Sequence, residues 1–323
     1  MATEQLGFVV IGRNEGPNLV DALKSLPADV EAVVYVDSGS TDDSIEIATS
    51  TAVMVHELDP SEPFSAARAR KEGVEKLLER HPELQMIQFL DGDCVLEPGW
   101  IQAAADFLGD NPSVGVVCGM LRERYPEASI YNRFNASRWR SLPLGDIAGS
   151  GGIFLARREA YESAGGFRSE LLTGEELDFC NRVREAGYRI ARIPVPMADH
   201  DSQLLHFSEW WSRAVWGGRG DALQLDVLGE ASCARLRREV RSVVTWVLVV
   251  PSVVLAGAIL SLCDARFLLV VAMALAAYAV LAARIMAGQV RRGDGWGEAF
   301  NYSMLAVLRK LPYSLGFLEE RRR

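Results

Sequence analysis

The sequence predicts an α/β domain built on a largely parallel sheet, followed by a helical hairpin long and apolar enough for a membrane. Three observations carry this expectation. Short β-type runs alternate with helical segments up to about residue 200. Acidic turns stand directly after two of those runs, at the strand ends where open α/β sheets bind ligands. Beyond residue 240 charge disappears: residues 242–263 carry none, and after Asp264-Ala265-Arg266 a second uncharged run covers 267–283.

Composition sets the outer bounds. The 323 residues carry 34 Lys plus Arg against 43 Asp plus Glu, a net charge of −9, so the chain lacks the electrostatic footprint of a nucleic-acid binder. Hydrophobic residues make up 49% and the mean hydropathy is +0.06, high for a soluble protein, so the excess is concentrated locally. At roughly 150 residues per domain the length allows about two domains, and disorder or a small disulfide scaffold is excluded. The five cysteines, Cys94, Cys118, Cys180, Cys233 and Cys263, are scattered, odd in number and form no CxxC. They read as reduced thiols in a cytosolic environment.

The elements follow in order. Met1 to Gln5 carry an acidic residue and no basic one, unlike a signal peptide. Residues 7–11 form a buried strand and 18–26 a helix after the Asn14-Glu15-Gly16-Pro17 turn. The next strand, 32–36, runs into Asp37-Ser38-Gly39-Ser40-Thr41-Asp42-Asp43-Ser44, a series of turn and N-cap residues before a helix at 45–49. A strand at 86–90 ends on Asp91-Gly92-Asp93. Gly149-Ser150-Gly151-Gly152 lacks the spacing and lysine of a P-loop; it is either a turn before a strand at 153–156 or a flexible loop beside a ligand. A strand-like segment at 192–195 precedes Asp199 and His200. No internal repeat or low-complexity segment is present.

The two uncharged runs reach, or nearly reach, the length needed to cross a hydrocarbon core, with Arg284 able to snorkel. Arg235, Arg237, Arg238 and Arg241 precede the pair and Arg284, Arg291 and Arg292 follow it, which places both outer ends on the cytoplasmic side. The expected division is a domain at 1–232, a juxtamembrane segment and hairpin at 233–290, and a cytoplasmic amphipathic tail at 291–323. In that tail Phe300, Met304, Val307, Leu308 and Leu311 recur at helical spacing beside Arg309 and Lys310. The stretch either lies in the membrane interface or packs on the globular domain. The closing Arg321-Arg322-Arg323 is a solvated end or a contact for anionic lipid. Trp210, Trp211 and Trp216, with Arg213 and Arg219, are interfacial anchors or walls of an acceptor groove.

Two carboxylates one residue apart in a turn can present oxygens to one divalent cation, and Gly92 lets the backbone approach a ligand. Four motifs in order give that pair its context. Val9-Val10-Ile11-Gly12-Arg13-Asn14-Glu15, Val36-Asp37-Ser38-Gly39-Ser40-Thr41-Asp42, Phe89-Leu90-Asp91-Gly92-Asp93, and Gly165-Gly166-Phe167 with Gly174-Glu175-Glu176-Leu177-Asp178 resemble the family 2 glycosyltransferases over nearly all of the first 220 residues. The segment Asn181-Arg182-Val183-Arg184-Glu185-Ala186-Gly187-Tyr188 is similar to the family's following helix and its glycine stop.

The resemblance implies a GT-A fold, a mostly parallel mixed sheet flanked by helices. It also implies a nucleoside-diphosphate sugar donor, a Mg2+ or Mn2+ ion and inversion at the anomeric carbon. It assigns Arg13, Glu15, Asp37, Ser38, Arg70, Asp91 and Gly92 to the nucleotide sugar, with Asp37 on the base or ribose. Asp91, Asp93 and His200 fall to the metal, with His206 as rival to His200. Arg70 lies in Ala69-Arg70-Lys71-Glu72-Gly73, where Lys71 replaces the family's usual asparagine; a solvated helix face is the alternative for Arg70 and Lys71. An inverting transfer to a hydroxyl needs a base on the acceptor side. The family pattern there is Glu-Asp, whereas this chain has Glu175-Glu176, so Glu176 takes the base position and Glu175 and Asp178 stay as alternatives. The three acids also suit a helix N-terminus without any catalytic role.

The leading expectation is a hexosyl- or N-acetylhexosaminyltransferase at the cytoplasmic face of a bacterial inner membrane. It would glycosylate a membrane-held acceptor: a polyprenyl phosphate, a polyprenyl-diphosphate saccharide or an apolar glycolipid. The chain resembles only loosely the tryptophan motif of processive synthases, which favours one transfer per encounter. Homo-oligomerisation or polysaccharide-assembly partners are compatible with this layout, and nucleic acid is not expected. Two alternatives remain open: a non-catalytic membrane scaffold that binds sugar nucleotide, and a nucleotidyltransferase, for which Gly12-Arg13-Asn14-Glu15 is a poor phosphate loop.

Overall fold

The computed structural model describes residues 5–51, 53–228 and 234–322; Met1 to Glu4, Cys233 with the boundary at 232–233, and Arg323 lie outside the described residues. The chain opens with β1 (Leu6–Gly12), α1 (Pro17–Lys24), β2 (Val33–Asp37), α2 (Ser44–Ser50), β3 (Met54–Glu57) and α3 (Ala66–Arg80). Next come β4 (Met86–Asp91), β5 (Cys94–Leu96), α4 (Trp100–Asp110), β6 (Val114–Glu123) and α5 (Ile130–Arg140). Then follow β7 (Gly145–Asp146), β8 (Phe154–Arg157), α6 (Arg158–Ser163), α7 (Glu175–Glu185) and β9 (Arg189–His200). The rest is helical: α8 (Phe207–Leu228), α9 (Ala234–Val243), α10 (Val250–Leu260), α11 (Phe267–Arg291), α12 (Trp296–Leu308) and α13 (Lys310–Arg321). Two compact units result, Met1–Tyr125 with Leu142–Ser202, and Pro126–Ser141 with Gln203–Arg323.

The first unit is built on one mixed sheet in the order β3-β2-β1-β4-β8-β6-β9-β5, with β7 beside β9. β3, β2, β1 and β4 run parallel, and their near-continuous apolar runs are what a sheet covered on both faces requires. Phe8, Val9, Val10, Val34, Val36, Ile87 and Phe89 are all buried there. β8 enters antiparallel between β4 and β6, and it carries Phe154 into a stack with Phe89, Phe167 and Phe179. The strand expected at 192–195 is three times longer: β9 spans 12 residues although Pro194 and Pro196 interrupt its donors. Register shifts against β6 between Cys118 and Leu121 take up the missing bonds, as prolines in strands demand.

The position of α3 decides the geometry of the site. Its N-terminus is capped by Ser65, whose hydroxyl accepts from the Arg68 amide at 3.1 Å. Gly73 faces the sheet so closely that a Cβ there would sit 2.6 Å from Val9 Cγ1 and 2.9 Å from Val36 Cγ2. One turn earlier on the same helical face, Arg70 therefore comes to the carboxyl ends of β1 and β4.

In the second unit Phe134 of α5, Trp210 of α8 and Leu305 of α12 form a small core with Tyr131, Trp211 and Tyr302. Beside it, Asp294 accepts from Arg140 Nη2 at 2.8 Å and is hydrogen-bonded to Ser137, which accepts from Gln289 at 2.8 Å. Leu236–Leu260 and Phe267–Arg291, 25 residues each, are long and apolar enough to cross a membrane; at ~1.5 Å per residue each spans about 37 Å. The first of them loosens into a π-helical stretch at Val244–Val249 just before Pro251. In that pattern the Trp246 carbonyl would take a bond from residue 251, which as proline has no N–H. The Tyr278 hydroxyl of α11 donates to it instead. The tail forms two helices rather than one stretch, because Pro312 cannot donate back to Leu308.

Replacing Gly73 with valine should push α3 off the sheet. Overpacking of this kind costs about 1–3 kcal/mol, and a lowered thermal midpoint in detergent together with lost activity would show it; an unchanged midpoint would mean that the helix seats differently.

Candidate active site

The parallel strands set out a row of ligand positions at their carboxyl ends. Gly12 of β1 stands in register with Asp37 of β2, and Ile11 with Asp91 of β4. Asp37 is fully buried. Its Oδ1 accepts from the amides of Gly39 at 2.8 Å and Ser40 at 2.7 Å, and its Oδ2 from Tyr35 at 3.1 Å and Ser40 Oγ at 2.5 Å. Burial and the adjacent Asp37 carboxylate hold the Tyr35 phenol well above its usual value, so it stays a donor. The Ser38 amide donates to the Gly12 carbonyl at 3.0 Å.

The β1–α1 and β2–α2 loops are stitched together. The Asn14 amide donates to Ser40 Oγ at 2.9 Å, Thr41 donates to Asn14 Oδ1 at 2.7 Å, and Ser44 Oγ accepts from the amides of Glu15 and Gly16 at 3.1 Å each. Arg13 lies exposed with its guanidinium 5.4 Å from the centre of the Phe64 ring. Arg13, Glu15, Asp37 and Ser38 thus meet beyond the carboxyl ends of β1 and β2.

Arg70 joins these strand ends to the acids at the start of α7. It is 2% exposed, which removes the solvated-helix alternative. Nη1 donates to Glu175 Oε1 at 2.6 Å and Nη2 to Asp91 Oδ1 at 2.9 Å, with Glu176 Oε1 at 3.6 Å. Burial works against the charged guanidinium, but Asp91, Glu176 and Glu175 together hold its pKa above the normal value. The glycine-rich loop passes directly over this group, since a Cβ on Gly152 would lie 2.2 Å from Arg70 Nη2. The loop is thus a turn before β8, with Gly152 lying against Arg70 and Asp91.

Glu176 stands apart from its neighbours. Burial first, then the Glu175 charge, pushes its pKa up to about 7 against the opposing pull of Arg70, while a quarter of its side chain stays accessible. Asp178 is fully buried and committed to Arg182 at 2.6 Å and Arg168 at 3.3 Å. Arg182 in turn donates to the carbonyls of Ala164 and Gly166, so Asp178 pins α7 to the Gly165-Gly166 turn. Glu15 lies across the strand ends, where a Cβ on Gly12 or Gly92 would come within 2.8 and 2.9 Å of its Cγ. Burial and the nearby Asp93 charge raise it to about 7.

The Asp91-Gly92-Asp93 turn divides its two carboxylates. Asp91 is drawn to Arg70, whereas Asp93 Oδ2 lies 3.3 Å from His200 Nε2. The pairing of β5 with β9 sets Cys94 opposite His200, and ligand atoms of Asp93, Cys94 and His200 fall within 4.8 Å of one another. The carboxylate and imidazole suit a borderline cation such as Mn2+. Cys94 is different: its fully buried thiol, pushed well above its usual pKa by burial and the neighbouring acids, lies 3.1 Å from Asp93 Oδ1 as a donor. Sequence reading missed this contact, although Cys94 directly follows the acidic pair. His206 begins α8 in the other unit, its amide donating to Glu209 at 2.9 Å.

Replacing Arg70 with alanine leaves Glu175 and Asp91 without their cation. Breaking a buried pair from one side costs about 3–5 kcal/mol, so the variant should lose most of its stability in chemical denaturation, and Glu175→Gln less. Equal, small effects would show that the network is dispensable.

Residues 8–165 match the family described as Glycosyl transferase family 2. The glycosyltransferase AglE of Haloferax volcanii is 25% identical over 249 residues, 73% of this chain and 77% of the relative. The O-antigen chain rhamnosyltransferase RfbN of Salmonella typhimurium is 22% identical over 231 residues, 63% of this chain and 72% of the relative. The structure of the mannosyltransferase PcManGT from Pyrobaculum calidifontis, in complex with GDP-Man and Mn2+, aligns with a TM-score of 0.57 at 19% identity, over 97% of this chain and 87% of that one. That likeness shows the fold, a mixed sheet flanked by helices known as GT-A. The motifs, the fold and the family match agree: the chain is a glycosyltransferase, and its residues 8–165 match family 2.

Proposed function

We propose that this enzyme is an inverting transferase that moves a hexosyl or N-acetylhexosaminyl group from a nucleoside-diphosphate donor to a lipid-linked acceptor. The observation that carries this reading is the gathering of Asp37, Asp91 and Asp93 at or just beyond the carboxyl ends of β2 and β4, with Arg70 of α3 and Glu176 of α7 against Asp91 and His200 of β9 against Asp93. At about 4.8 Å between strands, Asp37 and Asp91 lie on either side of β1, with room for a nucleoside near one and a diphosphate near the other. Asp93 and His200 would hold a divalent cation, Mn2+ by their chemistry, whose charge neutralises the diphosphate as it leaves.

The chain's own groups supply the rest. Glu176 takes the proton from the acceptor hydroxyl as its oxygen bonds to the anomeric carbon and the bond from that carbon to the diphosphate breaks on the opposite face. A pKa near neutrality suits that base. Arg70 holds Glu175 and Asp91 in place from either side. The hairpin of α10 and α11 keeps the chain at a bilayer, and Arg237, Arg238, Arg241, Arg291 and Arg292 at its two outer ends put those ends on the cytoplasmic side.

Detergent-solubilised protein given a panel of nucleotide sugars should release nucleoside diphosphate from one donor with Mn2+, and EDTA or Asp93→Ala should reduce release to background. Release that ignores both would overturn the metal assignment. The pH profile tests the base: with Glu176 at about 7, a carboxyl protonated below that value cannot accept, so kcat/KM should fall as pH drops through neutrality. Glu176→Gln should lower kcat by roughly 10²–10⁴-fold and leave donor binding intact. Retained kcat with an unshifted profile would move the role elsewhere.

A further inference from the structure

Helices α12 and α13 are turned inside out for a water-facing surface. Ala299, Ser303, Leu305, Pro312, Tyr313, Ser314 and Gly316 are buried, so most of the inward face is small or polar, while Trp296, Phe300, Met304 and Leu308 stand exposed at four-residue intervals. Leu311, Leu315 and Leu318 carry the helical spacing into α13, and all seven side chains are 41–71% exposed. An apolar stripe of this length on the outside of a soluble helix pair lacks a solvent rationale.

Two connections fix where the stripe lies. α11 ends at Arg291 and α12 starts at Trp296, five residues later and within about 17 Å of extended chain, so α12 begins at the mouth of the hairpin. At the other end of α12, Lys310 Nζ donates to Ser242 Oγ at 2.7 Å. Ser242 belongs to α9 beside Arg241, where the uncharged run of the first long helix begins, which is the same mouth. A helix whose two ends both sit at the mouth runs across it.

We propose that α12 and α13 lie in the plane of the bilayer, with this stripe immersed at the boundary between headgroups and acyl chains. The proposal rests on reading α10 and α11 as a membrane hairpin. Trp296 at the entry and Arg309, Lys310, Arg321 and Arg322 along the pair supply the aromatic anchor and the cations that an interfacial helix presents to anionic headgroups. The occupant of the stripe is therefore the same bilayer that the hairpin crosses, and the enzyme is held by a span and by a float.

The test uses the full chain in nanodiscs of phosphatidylethanolamine and phosphatidylglycerol, in a background with Cys233 and Cys263 replaced by serine. Single cysteines Met304→Cys and Leu315→Cys report the stripe, Glu298→Cys the polar side and Val280→Cys the middle of α11, each carrying an environment-sensitive fluorophore. The stripe probes should be quenched most by a nitroxide high on the lipid acyl chain and reduced by aqueous dithionite several-fold more slowly than the Glu298 probe. The Val280 probe should respond most to a nitroxide deep in the chain. Stripe probes reduced as fast as the Glu298 probe, with Val280 still deep, would overturn the proposal and leave the hairpin standing. A Val280 probe open to dithionite would instead overturn the hairpin, and the proposal with it. Stripe probes protected from dithionite yet untouched by lipid nitroxides would mean that a second copy of the chain covers them, which also overturns it.

Discussion

The guanidinium of Arg70 is the constraint on which the catalytic unit depends. A buried cation is stable only when oppositely charged groups replace its water, and here Asp91 and Glu175 do so at 2.9 and 2.6 Å. Those carboxylates come from β4 and α7, distant in sequence, so one side chain binds the end of the sheet to the helix that carries Glu176. Its own place depends on Gly73, which seats α3 against Val9 and Val36. The absence of one side chain thus sets the position of another.

Partners are distributed along this row of strand ends so that neighbouring acids differ in surroundings. Glu175 is paired with Arg70, Asp178 serves Arg182 and Arg168, and Glu176, buried and crowded by Glu175, is pushed up to about 7 against the pull of Arg70. Three acids at one helix N-terminus would look alike if the macrodipole alone acted on them. Their partners separate them into a positioning group, a structural clamp and a group poised to exchange a proton near neutrality. Asp91 and Asp93 divide in the same way, one toward Arg70 and the other toward His200 and the Cys94 thiol.

The second unit follows another logic. Its aromatic residues make a compact core around Trp210, Phe134 and Leu305, while the flanks of its long helices stay apolar and uncovered within the chain. The π-helical stretch ahead of Pro251 shows how an apolar helix meets its backbone requirement when one donor is missing, by taking a hydroxyl from the neighbouring helix. Of the tail face read in the sequence, Phe300, Met304, Leu308 and Leu311 are exposed and Val307 is half-buried, while Ala299, Ser303, Leu305 and Tyr313 do the packing.

Local chemistry explains what was legible in the chain itself. Strand β1, the Asp37 turn, the Asp91-Gly92-Asp93 turn, the start of α7 and the two apolar runs are written in contiguous residues, because hydrophobic periodicity, turn formers and charge depletion act over a few positions. The family resemblance is read from the same contiguous motifs. Tertiary structure alone decided that Arg70 is buried rather than solvated, that Asp178 is a clamp and Glu176 the poised acid, that Cys94 and His200 meet Asp93, and that residues 126–141 join the helical unit. Each of these depends on pairs far apart in the chain, and a pKa or a burial is a property of the neighbours that folding assembles, which no single stretch of sequence contains.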